Sequence, residues 1–461
     1  MDDLGVKWEE LYLGHYGAAA KEKRKQIRDY QIEAVQKTHE HFKNHDRGKL
    51  IMACGTGKTF TSLRIAEKET QGKGLVLFLA PSIALIGQTL RKWMVDADEG
   101  VNIHPLCVCS DYSVKQGKED EFDDSNSSID CLVSTDPEAT AKQQRKLIEK
   151  FPNDMIVVFS TYQSIQVVHD AQEILKREKN GSSTFDITIC DEAHRTTGKT
   201  RESEDVSHFN LIHDSEYIKS KRRLYMTATP RLYKENLKKE AENRGIYLWS
   251  MDDEKQFGEE IYKVSFGEAV KKGLLADYKV ITLALRSSAL PEGIKLGGGD
   301  DNALLSTDDR TRLIGCINAL SKNVFTEDGI LKDALDEQQM MMKTAVVFCN
   351  SIDESKKAKS RKGLASKTVA KKLNDCTYRK SRSDDEQKNI MKVSAQHVDG
   401  TMSASERDKA LCWLKEKFPD DECRMLTNVR CLSEGVDVPS LDAVIFLAGM
   451  GSEIDVIQAV G

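Results

Sequence analysis

Lys49-Leu50-Ile51-Met52-Ala53-Cys54-Gly55-Thr56-Gly57-Lys58-Thr59 is the stretch that decides how the chain is read. The apolar run from Leu50 to Ala53 reads as a buried strand. Gly55 and Gly57 then permit a tight turn, and Lys58-Thr59 opens a helix that continues through Phe60, Leu63 and Ala66. Glycines let the backbone N–H groups around Gly55, Thr56 and Gly57 point inward at an anion, and the helix N-terminus adds partial positive charge. This stretch is expected to cradle phosphates, with Lys58 reaching the β- and γ-phosphates and the Thr59 hydroxyl ligating Mg2+. Met52 stands where the general P-loop pattern has a glycine, so the match is the shorter Ala-x-Gly-x-Gly-Lys-Thr form, Ala53 to Thr59. A strand–turn–helix with a solvated lysine is the competing reading, and the rest of the chain decides between them.

At 461 residues the chain is too long for one ordinary core, and about 150 residues per domain suggests two or three. Charged residues make up 31% and hydrophobic ones 39%, a globular composition with polar insertions. Lys and Arg number 68 against 74 Asp and Glu, a net charge of −6. This argues against a wholly basic nucleic-acid binder while leaving room for a basic groove. The 11 cysteines show no Cys-x-x-Cys spacing, which points to reduced, mostly buried thiols rather than a zinc site or a disulfide framework. No apolar stretch approaches the ~20 residues of a membrane span, and the polar N-terminus lacks a signal-peptide core. A soluble, cytoplasmic protein with no membrane partner is expected.

Along the chain, residues 1–27 form a short polar extension with a basic run, Lys21 to Lys25. An amphipathic helix through Ile32, Val35 and Phe42 follows. After the glycine loop, strand-like runs recur at Leu75 to Leu79, Ile156 to Phe159, Ile187 to Cys190 and Leu224 to Met226, each followed by small or polar residues. Such alternation predicts an α/β fold with a parallel sheet, in which ligands bind beyond the carboxyl ends of the strands. Residues 111–150, with Glu119-Asp120-Glu121 and a serine-rich run, read as a mobile polar insertion. A second alternation runs from Val280 to Leu285 through Ala345 to Cys349, Met425-Leu426 and Ala443 to Leu447. Ser403 to Glu406 reads there as a capping box opening a helix with Leu411, Leu414 and Phe418 on its apolar face. The predicted domains are 28–270 and 275–461. Lys356 to Lys362 and Arg379, Lys380 and Arg382 form basic clusters that read more readily as a solvated face than as a nucleic-acid path, because no aromatics interleave.

Asp191-Glu192-Ala193-His194 follows the run Phe185 to Cys190, so its carboxylates are placed at a strand's C-terminal end. Asp191 suits a Mg2+ that bridges phosphates, and Glu192 suits the orientation of attacking water. Strand geometry is expected to turn the two carboxylates to different faces. Thr227-Ala228-Thr229-Pro230 ends another strand-like run and offers two small hydroxyls for bonding to the Asp191 to His194 segment.

Arg28 to Gln31, Ala53 to Thr59, Ala80 to Ser82, Ser160 to Gln163, Asp191 to His194 and Thr227 to Pro230 together resemble the successive motifs of a superfamily 2 helicase of the DEAH kind. Phe348 to Asn350, Thr427 to Pro439 and Gln458 to Gly461 continue the resemblance through nearly the whole chain. It implies two tandem RecA-like P-loop domains with ATP and Mg2+ in the cleft between them. Arg28 and Gln31 would bind the adenine side; Gly55, Thr56, Gly57, Lys58 and Thr59 the phosphates and metal. Asp191 would be the metal carboxylate and Glu192 the general base. His194, Thr227 and Thr229 would couple hydrolysis to movement, Gly435 and Asp437 would close over the nucleotide, and Ser82, Ser160, Thr161, Asn350 and Thr427 would hold phosphates of one nucleic-acid strand.

A narrower resemblance rests on Asp191 to Gly198, Ser250 to Glu254, Phe266 to Val270, Leu274 to Lys279 and Arg430 to Asp437. These look like the motor of bacterial single-polypeptide, type ISP-like restriction–modification enzymes, where a nuclease domain precedes the motor and methyltransferase and target-recognition domains follow. The family's last motif continues with arginines past its glycine, whereas this sequence stops at Gly461, so a truncated motif and weak hydrolysis are expected. The resemblance therefore implies an ATP-dependent DNA translocase. An RNA helicase, or an ATP-gated DNA-binding module with little turnover, are the alternatives.

Overall fold

The computed structural model describes residues 25–109, 134–177, 183–201, 207–277, 307–321, 324–326, 329–331, 342–352, 364–376, 379–381, 384–388, 390–402, 404–429, 441–447 and 456. The chain divides into two compact units, 1–277 and 278–460. Both are α/β, and each is built on a parallel sheet of the RecA-like P-loop kind.

In the first unit α1 (Asp29–His41) leads to β1 (Arg47–Met52), and α2 (Lys58–Thr70) to β2 (Gly74–Ala80). Next come α3 (Ile83–Asp96), β3 (Ile103–Val108), α4 (Pro137–Lys150), β4 (Met155–Thr161) and α5 (Ile165–Arg177). The unit continues with β5 (Ile187–Cys190), β6 (Gly198–Arg201), β7 (Arg223–Thr227), β8 (Ile246–Trp249), α6 (Glu254–Phe257) and β9 (Glu259–Val264). Seven strands form one sheet in the order β3-β4-β2-β5-β7-β1-β9, and every neighbouring pair is parallel. β6 and β8 pair separately as a two-stranded antiparallel sheet. Parallel neighbours need crossover connections, and the helices that supply them cover the sheet. The central strands are accordingly apolar on both sides: Leu75 to Ala80 and Met155 to Phe159 are all buried.

The core beneath the glycine loop is aromatic. Trp93 of α3 meets Phe78 and Phe159 edge-on, with ring centroids 5.4 and 5.7 Å apart, an arrangement that aromatic quadrupoles favour. The Trp93 indole N–H also donates to the Thr59 carbonyl at 3.0 Å, tying the first turn of α2 to the core.

The second unit contains α7 (Thr307–Leu320), the hairpin β10 (Val324–Thr326) and β11 (Gly329–Leu331), and β12 (Thr344–Phe348). α8 (Ser366–Asn374), β13 (Lys392–His397), α9 (Ala404–Lys415), β14 (Glu422–Asn428) and β15 (Ala443–Phe446) follow. Its sheet runs β13-β14-β12-β15, again wholly parallel.

Several sequence expectations change. In α1 the inward face is Tyr30, Gln31, Ala34 and Thr38, while Ile32 is exposed and Phe42 lies beyond the helix end. Helical spacing alone did not separate these two faces. Residues 137–150, read as part of a mobile insertion, are a helix: Asp136 caps it, Pro137 occupies its first turn, and Thr140, Ala141, Gln144 and Leu147 are buried. Pro at the first helical position costs no hydrogen bond. β3 was missed because Pro105 interrupts the apolar run, yet β3 is an edge strand of the sheet, where proline is tolerated. In α9 Leu414 is buried and Phe418 lies past the helix end, where Arg424 stacks over its ring at 4.7 Å. Ser403, Val280 to Leu285, the acidic run from Glu119 to Asp124 and Lys356 to Lys362 lie outside the described residues. Among the described residues no helix is long and apolar enough to cross a membrane.

Gly258 links α6 to β9, the strand beside β1, at φ 73°. A Cβ there would stand 2.3 Å from the Arg47 carbonyl oxygen and 2.6 Å from the Gly48 nitrogen. Gly258→Ala is therefore expected to destabilise the first unit by roughly 3 kcal/mol or more, read as a lower urea midpoint.

Candidate active site

β1 ends at Met52, and the loop that follows turns on two glycines in the left-handed region, Gly55 at φ 76° and Gly57 at φ 84°. That conformation costs a side-chain-bearing residue energy and glycine almost none. At Gly57 a Cβ would also fall 2.6 Å from Gln31 Nε2, so any side chain there would have to push the Gln31 amide out of its place against the loop. Tyr30 and Gln31 hold it from that side: the phenol donates to the Thr56 carbonyl at 2.6 Å and Gln31 Nε2 to the same oxygen at 3.4 Å. Gln31 Oε1 accepts the Arg28 N–H at 3.1 Å. On this side of the loop lies a pocket of about 380 Å³ lined by Arg28, Tyr30, Gln31, Gly57 and Thr59 among others. It is large enough for a nucleoside and opens directly beside the loop amides.

β7 lies next to β1 and β5 next to β7, all running the same way, so their C-terminal ends come out on the edge that carries the glycine loop. Asp191 follows β5 directly. Its N–H donates to the Leu79 carbonyl at 2.8 Å, and its side chain accepts the Glu192 N–H at 3.0 Å. Glu192 itself has φ 47° and ψ 46°, a left-handed conformation in a residue other than glycine. The two carboxylates therefore diverge at a left-handed kink, not through the pleat of a strand as the sequence suggested. Asp191 is 6% exposed. Glu192 Oε2 is buried with no hydrogen-bond partner among the described residues, 3.4 Å from His194 Nδ1.

Burial opposes the charge on Lys58, but Glu192, Cys54 and Asp191 outweigh it, so the ammonium holds its proton above the usual lysine range. Burial, followed by the neighbouring Glu192 carboxylate, pushes Asp191 above the ordinary carboxylate range against the pull of Lys58. Two carboxylates and one ammonium share a partly enclosed site, and a cation beside the carboxylates is what this arrangement favours. The bare glycine loop and the unsatisfied Glu192 oxygen fit a phosphate tail with a divalent metal.

His194 Nδ1 lies 3.0 Å from Thr227 Oγ1, which accepts the Thr229 N–H at 3.1 Å. Thr229 Oγ1 is buried and has no hydrogen-bond partner among the described residues. The structure thus brings Gly55, Thr56, Gly57, Lys58, Thr59, Asp191, Glu192, His194, Thr227 and Thr229 to one edge of one sheet. Ser82 is exposed and caps α3, accepting the Leu85 N–H at 3.3 Å. Ser160 and Thr161 are buried, their hydroxyls donating to the Thr161 carbonyl and Ser164 Oγ. Thr427 is fully buried and donates to the Ser366 carbonyl at 3.0 Å. In this structure the hydroxyls of these three residues, for which the resemblance implies contacts to nucleic-acid phosphates, bond within the protein. Asn350 follows β12 by two residues and is half-buried. Gly435 and Asp437 lie outside the described residues. Sequence reasoning gave no role to Tyr30 or Trp93; Tyr30 sits inside the recognised Arg28 to Gln31 motif, whereas nothing in the sequence marks Trp93.

A glycine phosphate loop and paired carboxylates on one parallel edge define a P-loop nucleotide-binding domain. Two family models match in series: Type III restriction enzyme, res subunit, over residues 24–232, and Helicase conserved C-terminal domain over 328–461. A probable helicase, A859L, of African swine fever virus is 26% identical over 94% of this chain and 38% of its own length. The Type I restriction enzyme EcoAI endonuclease subunit of Escherichia coli is 26% identical over 78% of this chain and 37% of its own. Among solved structures, the ATP-dependent Type ISP restriction-modification enzyme LlaBIII bound to DNA is 34% identical, with a TM-score of 0.71, over 95% of this chain and 26% of that one. The chain belongs to the superfamily 2 helicases and is close to the motors of restriction enzymes. Its domains are those of ATP-binding, ATP-hydrolysing enzymes, and it spans under two-fifths of the length of these relatives.

Gly57→Ala tests the cradle directly. The added methyl displaces Gln31 and strains the loop, and ATP affinity in an equilibrium fluorescence titration is expected to fall about tenfold or more.

Proposed function

We propose that this chain is a DEAH-type ATP hydrolase that couples turnover to directional movement along DNA, the motor portion of a restriction-type enzyme. The observation that carries the reading is the buried Asp191 beside the half-buried Glu192, both electrostatically linked to Lys58, with a Glu192 oxygen left without a hydrogen-bond partner among the described residues. In this role Arg28 and Gln31 orient the adenine end of ATP in the pocket beside the loop. The amides of Gly55 to Gly57 and the Lys58 ammonium hold the phosphate tail. Mg2+, ligated by Thr59 and Asp191, would neutralise charge on the β- and γ-phosphates. Glu192 then accepts a proton from water at Oε2, which has no hydrogen-bond partner among the described residues and lies 3.4 Å from His194 Nδ1.

His194, Thr227 and Thr229 carry a change at the carboxylates to the end of β7. In this role Ser82 in the first unit and Asn350 in the second would hold strand phosphates, contacts that position a motor without reading sequence. A similar enzyme solved bound to DNA supports DNA as the track. In such a protein, nuclease, methyltransferase and target-recognition domains would act with the motor.

Movement is tested by displacement of a fluorescent third strand from a triplex-bearing duplex: ATP-dependent release is expected, and release equal with and without ATP contradicts translocation. Lys58→Ala is expected to weaken ATP binding about tenfold or more, because a charge-assisted contact to phosphate is lost; unchanged binding and turnover would remove the lysine from the cradle. Glu192→Gln keeps the shape of the side chain and removes the base. ATP and DNA binding should stay within about twofold while turnover falls on the order of 10² to 10⁴.

A further inference from the structure

Glu192 is one of two described non-glycine residues with positive φ, the other being Gln71. A left-handed residue of this kind costs energy and persists only where its surroundings over-determine it. Those surroundings are two side-chain clamps, one at each end of the segment from Asp191 to Thr196.

At the first end, the Tyr162 hydroxyl donates to the Asp191 carbonyl at 2.8 Å. Tyr162 is fully buried, stacked on Phe209 with ring centroids 5.2 Å apart, and burial pushes its phenol well above the usual range, so it stays a neutral donor. The peptide it grips leads straight into Glu192. At the other end, the Thr196 carbonyl accepts Asn210 Nδ2 at 2.7 Å and faces His213 Nε2 at 3.1 Å. A carbonyl only accepts, so Nε2 carries the proton and Nδ1 accepts from the Tyr225 hydroxyl, 3.1 Å away. Burial pushes His213 down to about 3, which keeps that tautomer neutral. Between the clamps the segment closes on itself: Arg195 N–H donates to the Glu192 carbonyl at 2.9 Å and the Thr196 hydroxyl to the Ala193 carbonyl at 2.8 Å.

We infer that Tyr162 and Asn210 are positioning residues for ATP hydrolysis, which hold the Asp191–Thr196 turn at both ends so that Glu192 keeps its left-handed backbone and aims its carboxylate. Neither touches the phosphate cradle, so binding of ATP does not depend on them. Tyr162 also follows Ser160 and Thr161 on the end of β4, so it joins that strand end to the carboxylates through a single hydrogen bond. The inference rests on the reading of Asp191 and Glu192 as the hydrolysis pair.

The test is steady-state ATPase of Tyr162→Phe in the full chain with saturating duplex DNA, beside equilibrium binding of a fluorescent ATP analogue. Tyr162→Phe removes one oxygen and keeps the ring and its stack. kcat is expected to fall about 10-fold to 100-fold, as misplacement of a reacting group by a fraction of an ångström does. KM for ATP and the affinity for the analogue should stay within about twofold, a split that a general loss of folding does not produce. Asn210→Ala carries the same test at the other clamp, with the same split expected, and decides the matter if Tyr162→Phe loses its cooperative unfolding transition. Wild-type kcat in both variants overturns the inference, as does a fall in kcat matched by an equal loss of ATP binding. A wild-type chain without ATPase activity under these conditions would overturn the hydrolysis reading itself, and this inference with it.

Discussion

Every strand of the large sheet in the first unit runs the same way, and most of what the site does follows from that constraint. Parallel strands all end on one edge, so segments far apart in sequence meet there without any further device. Because β1 lies beside β7 and β7 beside β5, the glycine loop, Thr227 to Pro230 and Asp191 to His194 emerge side by side. The apolar faces of β2 and β4, sealed by Trp93, Phe78 and Phe159, keep that edge in register.

On this edge the electrostatics are arranged around one another. Asp191 is withdrawn from water beside the partly buried Lys58 and Glu192, and these neighbours shift the protonation of Asp191 and Lys58. Charges buried in this way are costly unless each is compensated. The glycine loop and the unsatisfied Glu192 oxygen leave room for that compensation to come from a bound phosphate tail and its metal. The geometry of Glu192 is likewise bought locally, by hydrogen bonds from Tyr162 and Asn210 to the backbone on either side of it.

Much of this was legible in the sequence, for identifiable reasons. Gly55, Gly57, Lys58 and Thr59 are legible because a phosphate loop demands those residue types at that spacing, and the apolar runs that became β1, β2, β4, β5 and β7 are legible because central parallel strands are buried on both faces. Edge strands were not: Pro105 in β3 and the charged alternation Glu259 to Val264 in β9 look unlike a strand until their place at the rim is known. The left-handed turn at Glu192 was invisible, since no residue type advertises it. Nor could spacing show that Ser160, Thr161 and Thr427 spend their hydroxyls inside the protein, because that depends on the Thr161 carbonyl, Ser164 and Ser366 lying against them.

The central claim is that this edge hydrolyses ATP in response to DNA. Steady-state ATPase of the chain, with Mg2+ and with duplex DNA, single-stranded DNA, RNA or no nucleic acid, tests it most directly. The account predicts hydrolysis that rises with DNA and most with duplex. A rate that is flat across all four conditions, despite measurable ATP binding, would contradict it.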